Sequence, residues 1–122
     1  MLKINLPYPP SINHLWRRGR NFTYLSSEGR IFYARVVPEI RKQQRGVAPF
    51  EGRLAVSIKL FPPDFRRRDI DNAVKVIFDA LTKAGIWLDD SQVDKLKIER
   101  CEKILGGKAE IYIEEINAPV KK

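Results

Sequence analysis

Asp69 and Asp71 flank Ile70 in the stretch PDFRRRDIDN, residues 63–72, immediately after three consecutive arginines. In extended backbone the side chains of residues i and i+2 point to the same side, so two carboxylates could converge there. Carboxylate oxygens suit a hard divalent cation such as Mg²⁺, whose remaining positions go to water or phosphate. Lys75 follows Asp71 by four residues and so shares its face of a helix. A lysine in a first turn opposes the helix dipole and calls for a negative neighbour. Asp71 and Asp79, each four residues from Lys75, can supply it. A phosphate held by the same cluster would serve equally. A second acidic pair, Asp89 and Asp90, lies beyond the far end of the segment.

Each of these residues also has a structural role open to it. Asp71 suits the N-cap of a helix beginning at Asn72. Asp89 and Asp90 read as an acidic surface turn. A helix of about thirteen residues is roughly 20 Å long. Asp90 therefore converges with Asp69 only if the intervening GIWL runs back at about 3.3 Å per residue. Arg66, Arg67 and Arg68 could be a solvated run paired with nearby acids. Exposed ion pairs contribute under about 1 kcal/mol, however, and positioning a phosphate backbone accounts better for three of them.

The elements that must hold these groups follow from periodicity. MLKINL alternates Leu2, Ile4 and Leu6 with polar residues, as a half-buried strand does. The prolines of PYPPSIN end it. HLWRRGRNFTYL interleaves Trp16, Phe22 and Tyr24 with arginines and reads as a basic hairpin or loop. Its aromatics could stack on unpaired bases or belong to the core. Ser26 or Ser27 can cap a helix reaching about Arg45, with Ile31, Val36 and Ile40 inward. Pro38 predicts a kink or break near Val37. RLAVSIKLF is a second strand, burying Leu54, Val56, Ile58 and Leu60. From Asn72 to Ala84, Val74, Ile77, Phe78 and Leu81 recur at helical spacing, with Lys83 in the last turn and Gly85 as the stop. VDKLKIERCEKIL, marked by Leu96 and Ile98, is a third strand. Gly106-Gly107 signals a hairpin that returns AEIYIEEI as its partner. The expectation is an α+β fold: one domain over residues 1–122, with a mixed sheet of about four or five strands packed against two main helices and a loose tail at 118–122.

Composition narrows the chemistry. The 122 residues are 43% apolar and 31% charged, and 23 Lys and Arg against 15 Asp and Glu leave a net charge of +8. Such a surplus favours a polyanionic partner. A lone Cys101 excludes an intrachain disulfide or a thiolate metal cluster, and a lone His14 excludes multi-histidine zinc sites. MLKINLPYPP lacks the apolar core of a signal peptide, and no stretch approaches the roughly 20 apolar residues of a membrane span. A cytoplasmic protein is expected, with catalysis resting on carboxylates, lysines and hydroxyls.

Taken together, LPYPPSIN, SSEGRIFY and RRRDIDNAVKVIFDALTKAGIWLDDSQV resemble the RusA family of Holliday junction resolvases over nearly the whole chain. The combined string is highly specific, whereas the Asp-x-Asp alone is weak. The resemblance implies a homodimeric, Mg²⁺-dependent endonuclease, with Mn²⁺ able to substitute, that nicks four-way DNA junctions symmetrically in recombination and repair. It implies Asp69, Asp71 and Asp90 as metal ligands, choosing Asp90 over Asp89, and Lys75 as the catalytic lysine. It implies DNA contacts from Ser11, Ile12, Asn13 and His14, and from Phe65, Arg66, Arg67, Arg68 and Asn72. No membrane, no other cofactor and no obligate protein partner are implied, and DNA binding would associate the enzyme with the nucleoid. Two other readings remain open at this stage: a non-catalytic DNA-binding module with Asp71 as a cap, and a nuclease of the same build acting on flaps or single strands.

Overall fold

The computed structural model describes residues 1–10, 16–18 and 23–116, and for 16–18 and 23–24 the backbone alone. Ser11, Ile12, Asn13, His14 and the tail expected at 118–122 lie outside the described residues. Along the chain come β1 (Leu2–Leu6), β2 (Trp16–Arg18), β3 (Thr23–Leu25), α1 (Ser27–Gln44), β4 (Leu54–Phe61), α2 (Ile70–Ala84), a short 3₁₀ turn (Asp90–Gln92), β5 (Val93–Arg100) and β6 (Lys108–Glu115). The basic hairpin expected near Trp16 is present as the antiparallel pair β2–β3, with Trp16 opposite Leu25.

The main sheet has the order β1-β6-β4-β5. β6 runs antiparallel to both β1 and β4, while β4 and β5 are parallel. The expected α+β arrangement, a four-stranded mixed sheet with two helices, is therefore what forms. One sheet face buries Ile4, Leu6, Leu54, Val56, Ile58, Leu60, Ile111 and Ile113, in one apolar cluster with Val36 and Ile40 of α1 and Val76, Ile77 and Leu81 of α2. Among the described residues no helix is long and apolar enough to cross a membrane.

Three expectations need correction. The Gly106-Gly107 turn does not make a hairpin, because β4 lies between β5 and β6. The connecting residues instead cap the end of β4: Cys101 N–H donates to the Leu60 carbonyl (2.7 Å) and Ile104 N–H to the Pro62 carbonyl (2.9 Å). Gly107 has φ +68°, and a Cβ there would meet Pro63 Cδ at 2.9 Å and Tyr8 Cβ at 3.0 Å, so the loop closes tightly on both. Pro38 does not break α1, which is continuous from Ser27 to Gln44. It occupies the solvent face with Ala34, where a carbonyl that loses its helical donor can turn to water. Ile31 is exposed (68%), and Phe32 and Tyr33 face the core in its place. Ser26 is the cap, its Oγ accepting from Gly29 N–H at 3.0 Å.

Candidate active site

The loop from Pro62 to Asp69 carries the arginine run, and Asp64 organises it. Its carboxylate accepts from Arg66 N–H (3.0 Å) and pairs with the Arg68 guanidinium (2.7 Å). Arg68 also donates to the carbonyls of Asp64 and Arg66, each at 3.3 Å, and its guanidinium lies 5.5 Å from the Tyr8 ring centroid. Arg100 reaches across from the end of β5 to the Arg68 carbonyl. The three arginines therefore divide. Arg68 braces the loop, whereas Arg67 is exposed and the Arg66 side chain, also exposed, makes among the described residues a single 3.6 Å ion pair with Asp64.

At the end of this loop α2 begins at Ile70, two residues earlier than periodicity suggests, so Asp69 rather than Asp71 takes the N-cap position. Asp71 falls inside the first turn, and its role as a cap is ruled out. Asp69 has extended backbone (φ −89°, ψ 131°), yet its side chain makes no capping hydrogen bond. Neither carboxylate bonds another described residue. Both lie at the positive end of the helix dipole. Lys75 is exposed one turn on and forms no ion pair with a described residue. The balancing partner proposed for it, Asp79, instead accepts from Tyr33 Oη at 3.4 Å. Burial, reinforced by Asp79, raises the Tyr33 pKa.

A cleft of about 400 Å³ opens beside these groups, lined by Tyr8, Pro9, Pro10, Arg67, Asp69 and Asn72. Pro9 and Pro10 lead directly into Ser11. The end of β1, the arginine loop and the start of α2 thus share one concave surface.

Asp90 is elsewhere. β4 and β5 are parallel, with Leu54 level with Val93 and Leu60 level with Arg100. Asp90 precedes β5 at the Leu54 end, while Asp69 follows β4 past Phe61. The 15 residues of α2 span the interval, about 22 Å. The return along the helix that would bring Asp90 back does not occur, because the chain returns as β5. Within the acidic pair the roles separate cleanly. Asp89 caps the 3₁₀ turn, accepting from Ser91 N–H at 2.9 Å, and hydrogen bonding from the Ser91 side chain, then from that N–H, lowers its pKa. Asp90 is exposed, and its carboxylate bonds no other described residue.

Two unengaged carboxylates at a helix N-terminus have the oxygen chemistry a hard cation needs. Among the described residues, however, no three acidic, histidine or cysteine side chains gather to hold one. One chain offers Asp69 and Asp71 together and Asp90 apart.

The chain from residue 7 to residue 115 matches the family model described as Endodeoxyribonuclease RusA. The chain belongs to the RusA family. Relatives named Crossover junction endodeoxyribonuclease RusA, from Escherichia coli (strain K12) and Shigella sonnei (strain Ss046), are each 39% identical to it over 113 residues, 93% of either chain. The protein of that name from Enterobacteria phage 82 is equally similar, 39% over the same 93%. In this RusA-family chain, the aspartates that the resemblance singles out are the ones whose carboxylates bond no other described residue. Asp64 and Asp89, which it passes over, are consumed by the fold.

Several supporting residues escaped the sequence reading. Gln92 is buried; its amide donates to the carbonyls of Phe50 (3.0 Å) and Gly52 (2.9 Å) and its Oε1 accepts from Leu88 and Asp89 N–H. Arg53 Nη2 donates to the Ser91 carbonyl at 2.8 Å. Together they fix the turn that carries Asp90. The Asp89-x-x-Gln92 spacing is a capping-box signal and could have revealed Gln92. Asp64 and Tyr8 leave no such trace, because their contacts with Arg68 depend on the folded loop.

The Asp64 brace has a pH signature. The hydrogen bond from Arg68, then that from Arg66 N–H, holds its pKa down from 3.8 to about 2. A depressed carboxylate contributes fully above its unfolded pKa and loses that contribution as pH falls through the folded value. The loop should thus stay braced at neutral pH and loosen between about pH 4 and pH 2. Carboxyl ¹³C shifts of Asp64 should titrate near 2; a midpoint near 4 would show that the brace is not formed in solution.

Proposed function

We propose that this chain is a Holliday junction resolvase: a Mg²⁺-dependent endodeoxyribonuclease that nicks four-way DNA junctions symmetrically in recombination and repair, working on the nucleoid as a homodimer. The observation that carries the reading is the division among the aspartates. The carboxylates of Asp69 and Asp71, beside a cationic loop, and of Asp90, a helix length away, bond no other described residue, in a chain whose close relatives are named crossover junction endodeoxyribonucleases.

Asp69, Asp71 and Asp90 would hold Mg²⁺, or Mn²⁺ in its place. When bound, the ion supplies Lewis-acid polarisation of the scissile phosphate. Arg66 and Arg67 draw in and position the DNA backbone, and Asn72 with the Ser11–His14 segment borders the same strand. Lys75, exposed and without an ion-pair partner among the described residues, stabilises negative charge as it builds on the phosphate.

Because Asp90 lies a helix length from Asp69, one chain does not complete the ligand set. Two subunits related by a two-fold axis, with α2 and β5 antiparallel to their mates, would set Asp90 of the partner subunit beside Asp69 and Asp71. Features of this edge support that arrangement. Among the described residues the outer edge of β5 pairs with no strand; Leu96 (44%) is exposed on that strand and Leu88 (66%) ahead of the turn that leads into it. Antiparallel pairing about Leu96 would bring Gln92 of the partner subunit opposite Arg100, whose guanidinium already touches the Arg68 carbonyl. Two such sites per dimer match the two opposed cuts that a junction requires.

Asp69→Asn should bind four-way junctions at least as tightly as the parent, having lost a negative charge near DNA, and should cleave them only at background with Mg²⁺. Full Mg²⁺-dependent cleavage by that variant, measured on junction, flap and duplex substrates side by side, would sink the assignment. For Lys75→Ala, single-turnover cleavage should fall about 100-fold or more with little change in affinity. Equal losses in both would make Lys75 a simple phosphate clamp.

A further inference from the structure

Phe65 is 87% exposed, although a phenylalanine gains by leaving water. It is not the only exposed apolar side chain, but its surroundings set it apart. It rides on the turn braced by Asp64, whose carboxylate holds Arg66 N–H on one side and the Arg68 guanidinium on the other. Its backbone is therefore fixed while its ring stands clear. Lys103, on the loop after β5, places Nζ 5.0 Å from the ring centroid, and that loop is tied to Pro62 through Ile104 N–H. A hollow of about 360 Å³ lies alongside, lined by Phe65, and on its wall Arg66, Arg67, Arg100 and Lys103 outnumber the acidic Asp64 and Glu102.

An exposed ring on a braced turn, bordered by cations, matches an unpaired base with its phosphates: the base stacks on the ring and the cations take the backbone. Duplex DNA offers no such base, since its bases are already stacked. A four-way junction offers one where strands exchange. We propose that Phe65 is a stacking element for a base unpaired at the branch point, with Arg66, Arg67 and Lys103 on the flanking phosphates. The inference rests on the resolvase reading and adds to it a means of telling junction from duplex. Phe65 precedes Asp69 by four residues, at most about 14 Å of chain. The stacked base thereby sets which phosphate lies over Asp69 and Asp71, fixing the cut relative to the branch point.

The test uses the full chain, without Mg²⁺, and four-way junctions carrying the fluorescent base 2-aminopurine at the branch point. Parent protein should change the fluorescence of the branch-point probe, and a probe placed mid-arm should stay unaltered. Phe65→Ala should abolish the change and weaken junction binding by about 10- to 100-fold, leaving duplex binding as it was. Phe65→Trp should restore both. With Mg²⁺, cuts by Phe65→Ala should scatter around the position that the parent selects. The side chain is exposed, so the variant keeps its fold, checked by an unchanged thermal transition. Phe65→Ala behaving like the parent overturns the stacking role alone, as does an equal loss on junction and duplex. A parent protein that binds and cleaves duplex as readily as junctions overturns the resolvase reading itself, and the inference with it.

Discussion

Parallel pairing of β4 with β5 is the constraint on which the site depends. Parallel neighbours cannot be joined by a tight turn; the chain must travel back along the sheet, and here it does so as α2. That crossover fixes two things together. The N-terminus of α2 comes to the end of β4 where the arginine loop emerges, with Asp69 and Asp71 at the positive pole of the helix. The chain re-enters the sheet at the other end, taking Asp90 with it. The separation is written into the topology, and no side-chain rearrangement within one subunit removes it.

The second constraint is the use of carboxylates. Of the six aspartates between β4 and β5, three are engaged by the fold: Asp64 braces its loop through Arg68, Asp79 accepts from Tyr33 Oη, and Asp89 caps the turn before β5. A carboxylate committed to an arginine or to backbone N–H groups is a poor candidate for further chemistry. Asp69 is the sharper case, since it occupies a position where a capping bond is usual and makes none. The arginines divide in the same way. Arg68 is built into the loop and braces it, while Arg66 and Arg67 face outward. A run that looks uniform in sequence is one part scaffold and two parts exposed cation.

Much of this was legible before any coordinates. Alternation gave β1 and β4, and helical spacing gave the buried face of α2, because those patterns report burial on one side of a regular element. The outcome for Pro38 was not legible: it turns on the proline falling on the solvent face of α1. Nor was the separation of β5 from β6, since Gly106-Gly107 reports a turn but not which strand lies between its arms. Local reasoning also left Asp89 and Asp90 equivalent. Resemblance chose Asp90, and the structure supplies a physical reason in the cap that occupies Asp89. Gln92 hid because a buried glutamine announces itself only through carbonyls some 40 residues away at Phe50 and Gly52.

The central claim is that the catalytic site joins Asp69 and Asp71 of one subunit to Asp90 of another. Subunit mixing tests it most directly. Asp69→Asn and Asp90→Asn are each made, each shown to be inactive alone, then mixed under conditions that exchange subunits. In a mixed dimer built across the interface, one site carries both substitutions and the other carries neither. The mixture should regain Mg²⁺-dependent cleavage, seen as single nicks rather than paired cuts in four-way junctions. A mixture as inactive as its components, with subunit exchange demonstrated, would contradict the account.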